Sequence, residues 1–507
     1  MSDVRSNAEL TSATAAGLRW ISVARLATEI LLVLSMVALA RLIPPKAFGI
    51  FAIALIVQEL AVNVPSEGVA APLVQRDSID RDHLQGGFAL CLVVGLALML
   101  LGLLLSMVLV VPLFGHETAV LVAATTPWFL LGAVLALPMA VMRRRLDFRR
   151  LSILTLAQSG VRCVASVILA AAFGLDAWAL VLGGLAGMIA IVTMAVAFVG
   201  VPLPRWRTQA IRDLLPYGLP ASLACFCWVG FRNGDYAIVG ARLGATQAGY
   251  YWRGFQLAVE YQTKISSVMT QMAFPVLART EGADEMHELR RRMVQLLALV
   301  TFPLLSLLVL LAPILIPWAF GADWEPAVLP TQILAGAGAA TVLIDAVGSV
   351  LMASGRARAL LSYGVAHFAV YIAAVLVGSR YGIAGVSVAA VLSHAAFLVV
   401  AYKVLANGRG ESALGLLWGD VSAATVGCLA LAATAWPLHV ALNEAAAPAF
   451  IHLACVSAVG AAAYAVALRV YAPPAFRDLA SLFRRLLRVP AGRAAARSVP
   501  VAASRSS

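Results

Sequence analysis

The 507-residue chain has few charged residues: Asp, Glu, Lys and Arg together make up 12% of it, whereas about a quarter is usual in soluble globular domains. Hydrophobic residues make up 62%, and the mean hydropathy is +0.91. This scarcity of charge excludes a large water-soluble domain. The net charge of +12 would suggest a nucleic-acid partner in a soluble protein. In a membrane protein, basic residues mark the cytoplasmic loops instead. We therefore expect no nucleic-acid partner.

Motifs for several other chemistries are absent. The six cysteines fall within apolar stretches and form no Cys-x-x-Cys pair, which argues against a zinc site or a disulfide framework. No Gly-x-x-x-x-Gly-Lys-Ser/Thr motif is present, so the chain is not expected to use ATP by itself. The connections between apolar runs are short and leave no room for an extramembrane domain. We expect no metal, no resident cofactor and no enzymatic activity.

Long apolar runs, by contrast, are abundant. Because a membrane-spanning helix needs about 20 apolar residues, the sequence predicts an all-α integral membrane protein with about fourteen transmembrane helices. The first run carries Arg25 and Glu29 and is longer than a signal-peptide core, so no cleavable signal is expected. The predicted spans are 17–40, 47–71, 87–112, 118–140, 151–173, 177–200, 214–240, 247–276, 294–318, 327–352, 359–379, 382–405, 417–437 and 449–470.

The basic residues support one topology. With the N-terminus in the cytoplasm, 28 of the 37 Lys and Arg fall on the cytoplasmic side and 4 fall outside, as the positive-inside rule requires. An even number of spans then places both termini in the cytoplasm. Beyond residue 472, apolar residues at helical spacing alternate with arginines, which predicts a basic amphipathic helix at the inner leaflet. Five cations remain away from the ends of the predicted spans: Arg25, Arg162, Arg232, Arg253 and Lys264.

Short motifs recur at an offset of 200 to 203 residues. Ala-Arg-Leu at 40–42 returns at 241–243, and Gly49 corresponds to Gly249. Because six helices separate the copies, the repeats run parallel and are related by an axis along the membrane normal, an architecture typical of alternating-access transporters. The predicted segments are an N-terminal six-helix lobe (1–200), a cytoplasmic linker (201–213), a C-terminal six-helix lobe (214–405), two additional helices (406–470) and a basic cytoplasmic tail (471–507).

The five cations within spans are the main functional signal. Burying each costs roughly 2.5–3.5 kcal/mol on insertion scales, so they should face a wet cavity or have partners. Arg162 has no acidic residue within one helical turn, which favours an anionic substrate such as a phosphate or pyrophosphate, because guanidinium groups grip oxyanions in bidentate fashion. The eighth span carries a continuous polar stripe that cannot face lipid: Arg253, Gln256, Glu260, Lys264, Ser267 and Gln271. The predicted substrate-binding residues are Arg25, Arg162, Arg232, Arg253, Lys264 and Gln256.

The acidic residues within spans admit two interpretations. Three of them lie three or four residues from a cation on the same helix face, in the pairs Arg25–Glu29, Arg232–Asp235 and Glu260–Lys264. Such charges could pair only with each other and hold the bundle together. Alternatively, a carboxylate such as Asp345, which has no cation near it in sequence, binds Na⁺ or H⁺ and couples transport to a gradient. The ion-coupling candidates are Glu29, Glu59, Asp235, Glu260 and Asp345. The default interpretation of His367 and His394, also within spans, is structural.

Several turn and packing motifs lie between residues 10 and 405. They are Ala-Arg-Leu-Ile-Pro-Pro-Lys-Ala-Phe-Gly at 40–49, Leu-Val-Gln-Arg at 73–76, Asp-Tyr-Ala-Ile-Val-Gly at 235–240, Leu-Gly at 243–244, Gly-Tyr-Tyr at 249–251, Phe-Pro-Val-Leu-Ala-Arg at 274–279 and Tyr-Gly-Ile-Ala-Gly at 381–385. In these motifs the chain resembles the oligosaccharide flippases, the Wzx-like polysaccharide transporter family of the multidrug/oligosaccharidyl-lipid/polysaccharide exporter superfamily.

The resemblance implies a flippase that moves an undecaprenyl-pyrophosphate-linked oligosaccharide across the bacterial inner membrane, by alternating access through a cationic central cavity. The product would serve exopolysaccharide, capsule or O-antigen (lipopolysaccharide) synthesis, with a polysaccharide polymerase and chain-length proteins as partners in the phospholipid membrane. Two alternatives stay open. A cation-coupled multidrug exporter of the same superfamily would have an acidic, aromatic cavity, and a membrane polysaccharide polymerase or ligase would need a large outer loop.

Overall fold

The structure is a computed structural model that describes residues 7–76, 78–267, 269, 282–353, 357–406 and 412–487. Within these ranges the chain is helical apart from short connections, and a long helix lies at each of the fourteen predicted spans. In the first half these are α1 (Asn7–Leu42), α2 (Pro45–Gln75), α3 (Arg81–Phe114), α4 (His116–Arg144), α5 (Phe148–Phe173) and α6 (Ala177–Val199).

The second half follows the same order. Its helices are α7 (Thr208–Leu243), α8 (Ala245–Phe255, continued by Gln256–Glu260 and on to residue 267), α9 (Ala283–Phe320), α10 (Val328–Ala353), α11 (Ala357–Gly378) and α12 (Gly382–Ala406). Then come α13 (Ala413–Glu444), α14 (Ala449–Tyr471) and the short α15 (Pro473–Leu487). Three predicted features lie outside the described residues: Gln271, Arg279 and the tail beyond residue 487.

Ten described helical stretches are long and apolar enough to cross a membrane, or eleven if the bent α7 counts as one span. One of the ten contains both α11 and α12, which only the short 3₁₀ turn Ser379–Tyr381 separates. The remaining two helices of the predicted fourteen, α1 and α8, carry charged side chains in the middle of the helix. The prediction of an all-α integral membrane protein with two six-helix lobes and two further helices is confirmed, whereas the residue boundaries of the lobes stay a prediction.

The two halves meet at the ends of α2 and α8 that the predicted topology places outside, called the outer end below. Gly49 of α2 lies against Ala245 and Gly249 of α8, and Gly249 lies against Pro45 and Gly49. A Cβ atom at either glycine would overlap a carbonyl oxygen of the other helix, so this approach requires glycine. The contact is reciprocal between two repeat-related positions, as a parallel repeat about an axis along the membrane normal requires.

Side chains close the outer end around this contact. Trp324, in the 3₁₀ turn Ala322–Ala327 that precedes α10, is fully buried, and its Nε1 donates a hydrogen bond to the carbonyl oxygen of Ala40 at 2.9 Å. Arg41 Nε donates to the carbonyl oxygen of Ala319 at 3.0 Å. These bonds tie the end of α1 in the first lobe to the end of α9 in the second.

At the opposite, inner end, α2 of the first lobe is held against α7 of the second. Gln75 Nε2 donates to Tyr217 Oη at 2.8 Å, and Arg76 Nη1 donates to the carbonyl oxygen of Asp213 at 3.1 Å. Gly68 lies close to α7 here, because a Cβ added to Gly218 would overlap its carbonyl oxygen. The symmetry-related helices α1 and α8 instead leave a groove between them.

A buried ion pair attaches the two additional helices to the second lobe. Arg290 of α9 forms two hydrogen bonds to Asp420 of α13, one of them between Nη2 and Oδ1 at 3.3 Å, and Tyr402 of α12 donates to Asp420 Oδ2 at 2.7 Å. The amphipathic helix α15 packs Phe476 and Leu479 against the core of α9, α13 and α14. Its apolar face therefore contacts the protein, and its contact with the inner leaflet stays a prediction.

Candidate functional site

A cavity lies between the two lobes, bordered by α1, α2, α5 and α6 of the first and by α7 and α8 of the second. The empty space between its walls is about 1100 Å³, including its mouth. Six of the eleven residues that the sequence nominates line it: Glu59, Arg162, Arg253, Gln256, Glu260 and Lys264. Four of the six come from the polar stripe of α8, which therefore faces the cavity from Arg253 to Lys264.

Arg253 is the most deeply buried cation of the cavity, with 1% of the residue exposed. Its Nη1 donates to Gln256 Oε1 at 2.8 Å. Its Nε and Nη2 atoms are buried and have no hydrogen-bond partner in the described chain. The guanidinium carbon lies 4.7–5.4 Å from four aromatic ring centres, which stabilise its charge through cation–π contacts: Phe48, Trp252, Phe320 and Trp324. Two guanidinium nitrogens in the wall of the cavity are therefore without a partner among the described residues.

Arg162 of α5 is the second cation without a partner. It is half-buried, lines the cavity, and forms no hydrogen bond or ion pair with any described residue. Gly187 of α6 gives it space, since a Cβ there would stand 2.9 Å from the Cβ of Arg162. Arg162 has no acidic residue within one helical turn in the sequence, and no described residue of another helix forms an ion pair with it.

The ion pairs differ from those that the sequence spacing favours. Arg232 pairs with Glu260 through Nη2 and Oε1 at 2.7 Å, and Lys264 pairs with Glu29 through Nζ and Oε2 at 3.1 Å. Neither is a pair within one helix, because side chains excluded from lipid point towards the neighbouring helix, where an opposite charge lies within reach. The Lys264–Glu29 pair joins α8 of the second lobe to α1 of the first. Arg25 is exposed and lies outside both pairs.

A largely apolar groove between α1 and α8 adjoins the cavity. Ile30, Val33 and Leu34 of α1 line it and are exposed. Tyr261 and Lys264 line both the groove and the cavity, so the two spaces share a border. The other charged residues of the groove are Arg25 and Glu29.

A wider, π-helical turn at Gln256–Glu260 interrupts α8 within the polar stripe. Such turns are rare and occur frequently at functional sites. The equivalent helix of the first lobe has its own π turn at Ser66–Ala70. The turn in α8 carries Gln256 and Glu260 on the cavity wall between Arg253 and Lys264.

Sequence reasoning missed four polar residues of the cavity: Ser35, Ser166, Asn233 and Tyr261. Asn233 Nδ2 donates to Glu59 Oε2 at 3.0 Å and links α7 to α2. Asn233, next to Arg232 in a predicted span, could have been predicted to line the cavity, because a polar side chain is costly in contact with lipid. The two serines carried no signal, since serine is common between packed membrane helices.

Two predicted ion-coupling residues line neither the cavity nor the groove. Asp235 is fully buried in the second lobe and accepts hydrogen bonds from the hydroxyls of Tyr251 and Tyr371, both at 2.9 Å. Asp345 of α10 is half-buried, and its carboxylate has no hydrogen-bond partner among the described residues. The described residues contain no group of three or more His, Cys, Asp or Glu that could hold a metal ion.

Comparison with known proteins gives a family and a fold. The chain matches the family described as "Polysaccharide biosynthesis protein" over residues 38–329, more than half of its length. It is 25% identical over 408 residues to the lipopolysaccharide biosynthesis protein WzxC of Escherichia coli K12, covering 78% of this chain and 81% of the relative.

Two solved structures share the fold. The lipid II flippase MurJ in an inward closed conformation superposes with a TM-score of 0.71 at 13% identity, covering 91% of this chain and 99% of that chain. An inward-facing multidrug resistance MATE family transporter has a TM-score of 0.60 at 14% identity, covering 78% of this chain and 95% of that chain. The chain therefore has the fold that these two proteins share. The chain belongs to the polysaccharide biosynthesis protein family, and its predicted membership of the Wzx-like oligosaccharide flippases is confirmed.

Proposed function

We propose that the protein flips an undecaprenyl-pyrophosphate-linked oligosaccharide from the inner to the outer leaflet of the bacterial inner membrane, with both of its termini in the cytoplasm. One observation carries the proposal: a cavity with unpartnered guanidinium groups borders an apolar groove that opens towards lipid. A substrate that fits both spaces has an anionic polar head and a long apolar tail.

The cationic wall of the cavity suits a diphosphate. Arg253 has two unpartnered donors, and Arg162 has no partner among the described residues. Planar guanidinium groups bind phosphate oxygens through paired hydrogen bonds. Lys264, at the border with the groove, adds a third positive charge where the diphosphate meets the lipid.

The groove suits the lipid chain. Moving each methylene group of the chain from lipid into a polar space costs about 0.8 kcal/mol. A polyprenyl chain therefore stays in the bilayer while its head crosses, and the protein must open sideways to admit it. The groove between α1 and α8 supplies such an opening, because its residues Ile30, Val33 and Leu34 are exposed.

The sugars would occupy the rest of the cavity. Gln256, Asn233, Ser35, Ser166 and Tyr261 line it and provide donors and acceptors for hydroxyl groups. An exporter of organic cations would require an acidic cavity, whereas the three cations that line this one outnumber its two carboxylates, Glu59 and Glu260. The cavity composition therefore favours a flippase over the multidrug exporter.

The closed outer end and the groove at the inner half are consistent with a conformation that admits substrate from the cytoplasmic leaflet. Flipping by alternating access then requires the Gly49–Gly249 contact and the bonds of Trp324 and Arg41 to open. The flipped precursor would pass to a polysaccharide polymerase and its chain-length proteins. The name of the relative WzxC, a lipopolysaccharide biosynthesis protein, supports such a pathway.

Complementation of a deletion strain tests the proposal. We expect the wild-type gene to restore surface polymer, and Arg253→Ala or Arg162→Ala to abolish it while lipid-linked precursor accumulates. Lys403→Ala and Arg380→Ala serve as controls, because both side chains are exposed and lie outside the cavity. Normal polymer from the two cavity variants, at wild-type amounts of protein in the membrane, would refute the proposal.

A further inference from the structure

A cluster of titratable side chains surrounds one carboxylate inside the second lobe, outside the cavity lining. Asp235 Oδ2 accepts hydrogen bonds from Tyr251 Oη of α8 and Tyr371 Oη of α11, each at 2.9 Å, and Oδ1 accepts from the backbone N–H of Tyr236 at 2.9 Å. Across the described chain no cation lies within ion-pair distance of Asp235. Three donors therefore satisfy a buried carboxylate that no positive charge neutralises.

Two histidines extend the cluster. The His394 ring of α12 lies 5.2 Å from the Tyr371 ring, and the His367 ring of α11 lies 5.0 Å from that of His394. His394 Nδ1 is 2.8 Å from the carbonyl oxygen of Ala390. Because a carbonyl only accepts, Nδ1 carries the hydrogen, and Nε2 carries the lone pair of the neutral ring. Both histidines are buried.

The other charged groups near α7 already have partners. Arg232, three residues before Asp235, is paired with Glu260 of α8. On α2, Glu59 accepts a hydrogen bond from Asn233. The titratable side chains that contact Asp235 are thus Tyr251 on α8 and Tyr371 on α11. His367 on α11 and His394 on α12 lie next, against the ring of Tyr371.

Such surroundings let the carboxyl group exist in two states. An ionised carboxylate without a counter-ion is expensive in an apolar interior, so burial favours the neutral acid. The three donors favour the anion, because each bonds to its oxygens. We propose that Asp235, with Tyr251, Tyr371 and His394, is a proton-binding site of the second lobe and that its occupancy is linked to the cavity through α8.

The neighbours favour a proton over Na⁺. Hard cations prefer several oxygen ligands with lone pairs turned towards the ion. Both tyrosine hydroxyls instead donate their hydrogens to Asp235, and the next groups are imidazoles, which suit softer metals. A proton needs only the carboxyl oxygen itself.

Helix α8 connects this site with the cavity. Tyr251 contacts Asp235, and Arg253, two residues later, lines the cavity. Protonation gives Asp235 a hydrogen to donate and makes its carboxyl oxygens weaker acceptors. The hydrogen bond from Tyr251 Oη to Asp235 Oδ2 is then lost, or Asp235 becomes its donor. The same helix carries Gln256, Glu260 and Lys264 on the cavity wall. The role of this linkage in transport rests on the proposed flippase function, whereas proton binding itself does not.

Infrared difference spectroscopy between acidic and alkaline pH tests the site in purified full-length protein in lipid nanodiscs. We expect a carbonyl-stretch band from a buried, protonated carboxyl in the wild type and in Asp345→Asn, and loss of that band in Asp235→Asn. Tyr371→Phe should keep the band at a shifted frequency, because one hydrogen bond to the carboxyl is gone. Replacing NaCl by choline chloride at constant pH should leave the band unchanged.

Three results would overturn the proposal: an unaltered band in Asp235→Asn, loss of the band in Asp345→Asn instead, or a band that Na⁺ abolishes. If Asp235→Asn does not fold, Asp235→Glu replaces it, and a folded Glu variant without any titrating carboxyl band also overturns the proposal. The spectra need no substrate, so their outcome is independent of polymer export, which tests the flippase function separately.

Discussion

Lys264 of α8 and Glu29 of α1 form an ion pair between the two lobes, with Nζ 3.1 Å from Oε2. The pair stands where the cavity meets the groove. Its side chains are 40% and 34% exposed, so solvent screens it and its contribution to stability is small, about 0.2–1 kcal/mol by analogy with exposed pairs. The position of the two charges therefore matters more than the strength of the pair.

Neutralising the two partners should have unequal effects. We expect Lys264→Gln to reduce polymer export far more than Glu29→Gln, because Lys264 also lines the cavity. The free energy of unfolding of each variant should lie within about 1 kcal/mol of the wild-type value. Polymer output per amount of membrane protein and thermal unfolding in detergent measure the two quantities. An equal loss of export from both variants would indicate that Lys264 serves only the ion pair.

The glycine contact at the outer end should not tolerate a side chain. Gly249→Ala places a methyl group against the carbonyl oxygen of Pro45, so we expect a loss of about 1–3 kcal/mol of stability through overpacking. The substitution should also push α2 and α8 apart. A cysteine introduced at the outer end should therefore react faster with an impermeant thiol reagent. Gly364→Ala on α11 is the matched control, since no atom lies within 4 Å of its added Cβ. Equal behaviour of the two variants would contradict the close contact.

The buried pair between Arg290 and Asp420 should dominate the attachment of α13. Asp420→Ala leaves the Arg290 charge buried without a partner and should cost about 3–5 kcal/mol. Tyr402→Phe removes one hydrogen bond and should cost about 1 kcal/mol. Replacing the pair by Arg290→Met and Asp420→Leu together should recover most of the loss. Thermal unfolding of the four proteins measures these differences, and a mild effect of Asp420→Ala would contradict the pair.

Arg253 should not be replaceable by lysine. Its planar group lies among four aromatic rings and bonds Gln256, a geometry that a single ammonium group does not reproduce. We expect Arg253→Lys to lower export as severely as Arg253→Ala, and Lys264→Arg to retain most of it. Polymer output at matched expression tests both, and full export from Arg253→Lys would show that charge alone suffices.

Much of the fold could be predicted from the sequence. Apolar runs located all fourteen long helices, because each helix must satisfy its own backbone hydrogen bonds in lipid. The match of Gly49 with Gly249 predicted the parallel repeat, and the two glycines are in contact in the fold. Helix ends were less predictable: α9 begins at residue 283 and not near 294, since polar residues continue the helix beyond the membrane.

The partners of the charges could not be predicted. Spacing along a helix shows which residues share a face, but it does not show which helix packs against that face. Glu260 therefore seemed to belong with Lys264, whereas Arg232 of α7 is its partner. The aromatic surroundings of Arg253 were hidden for the same reason, because Phe48 and Trp324 are more than 70 residues away in either direction.

The central claim is that the protein moves the head group of a lipid-linked oligosaccharide across the membrane through the cavity. Right-side-out vesicles from the deletion strain, with and without the protein, test it when they are treated with a membrane-impermeant reagent that modifies sugars. We predict that the reagent modifies the lipid-linked precursor in vesicles with the wild-type protein, and not in vesicles with Arg253→Ala or without the protein. Modification of the precursor in vesicles that lack the protein would contradict the account.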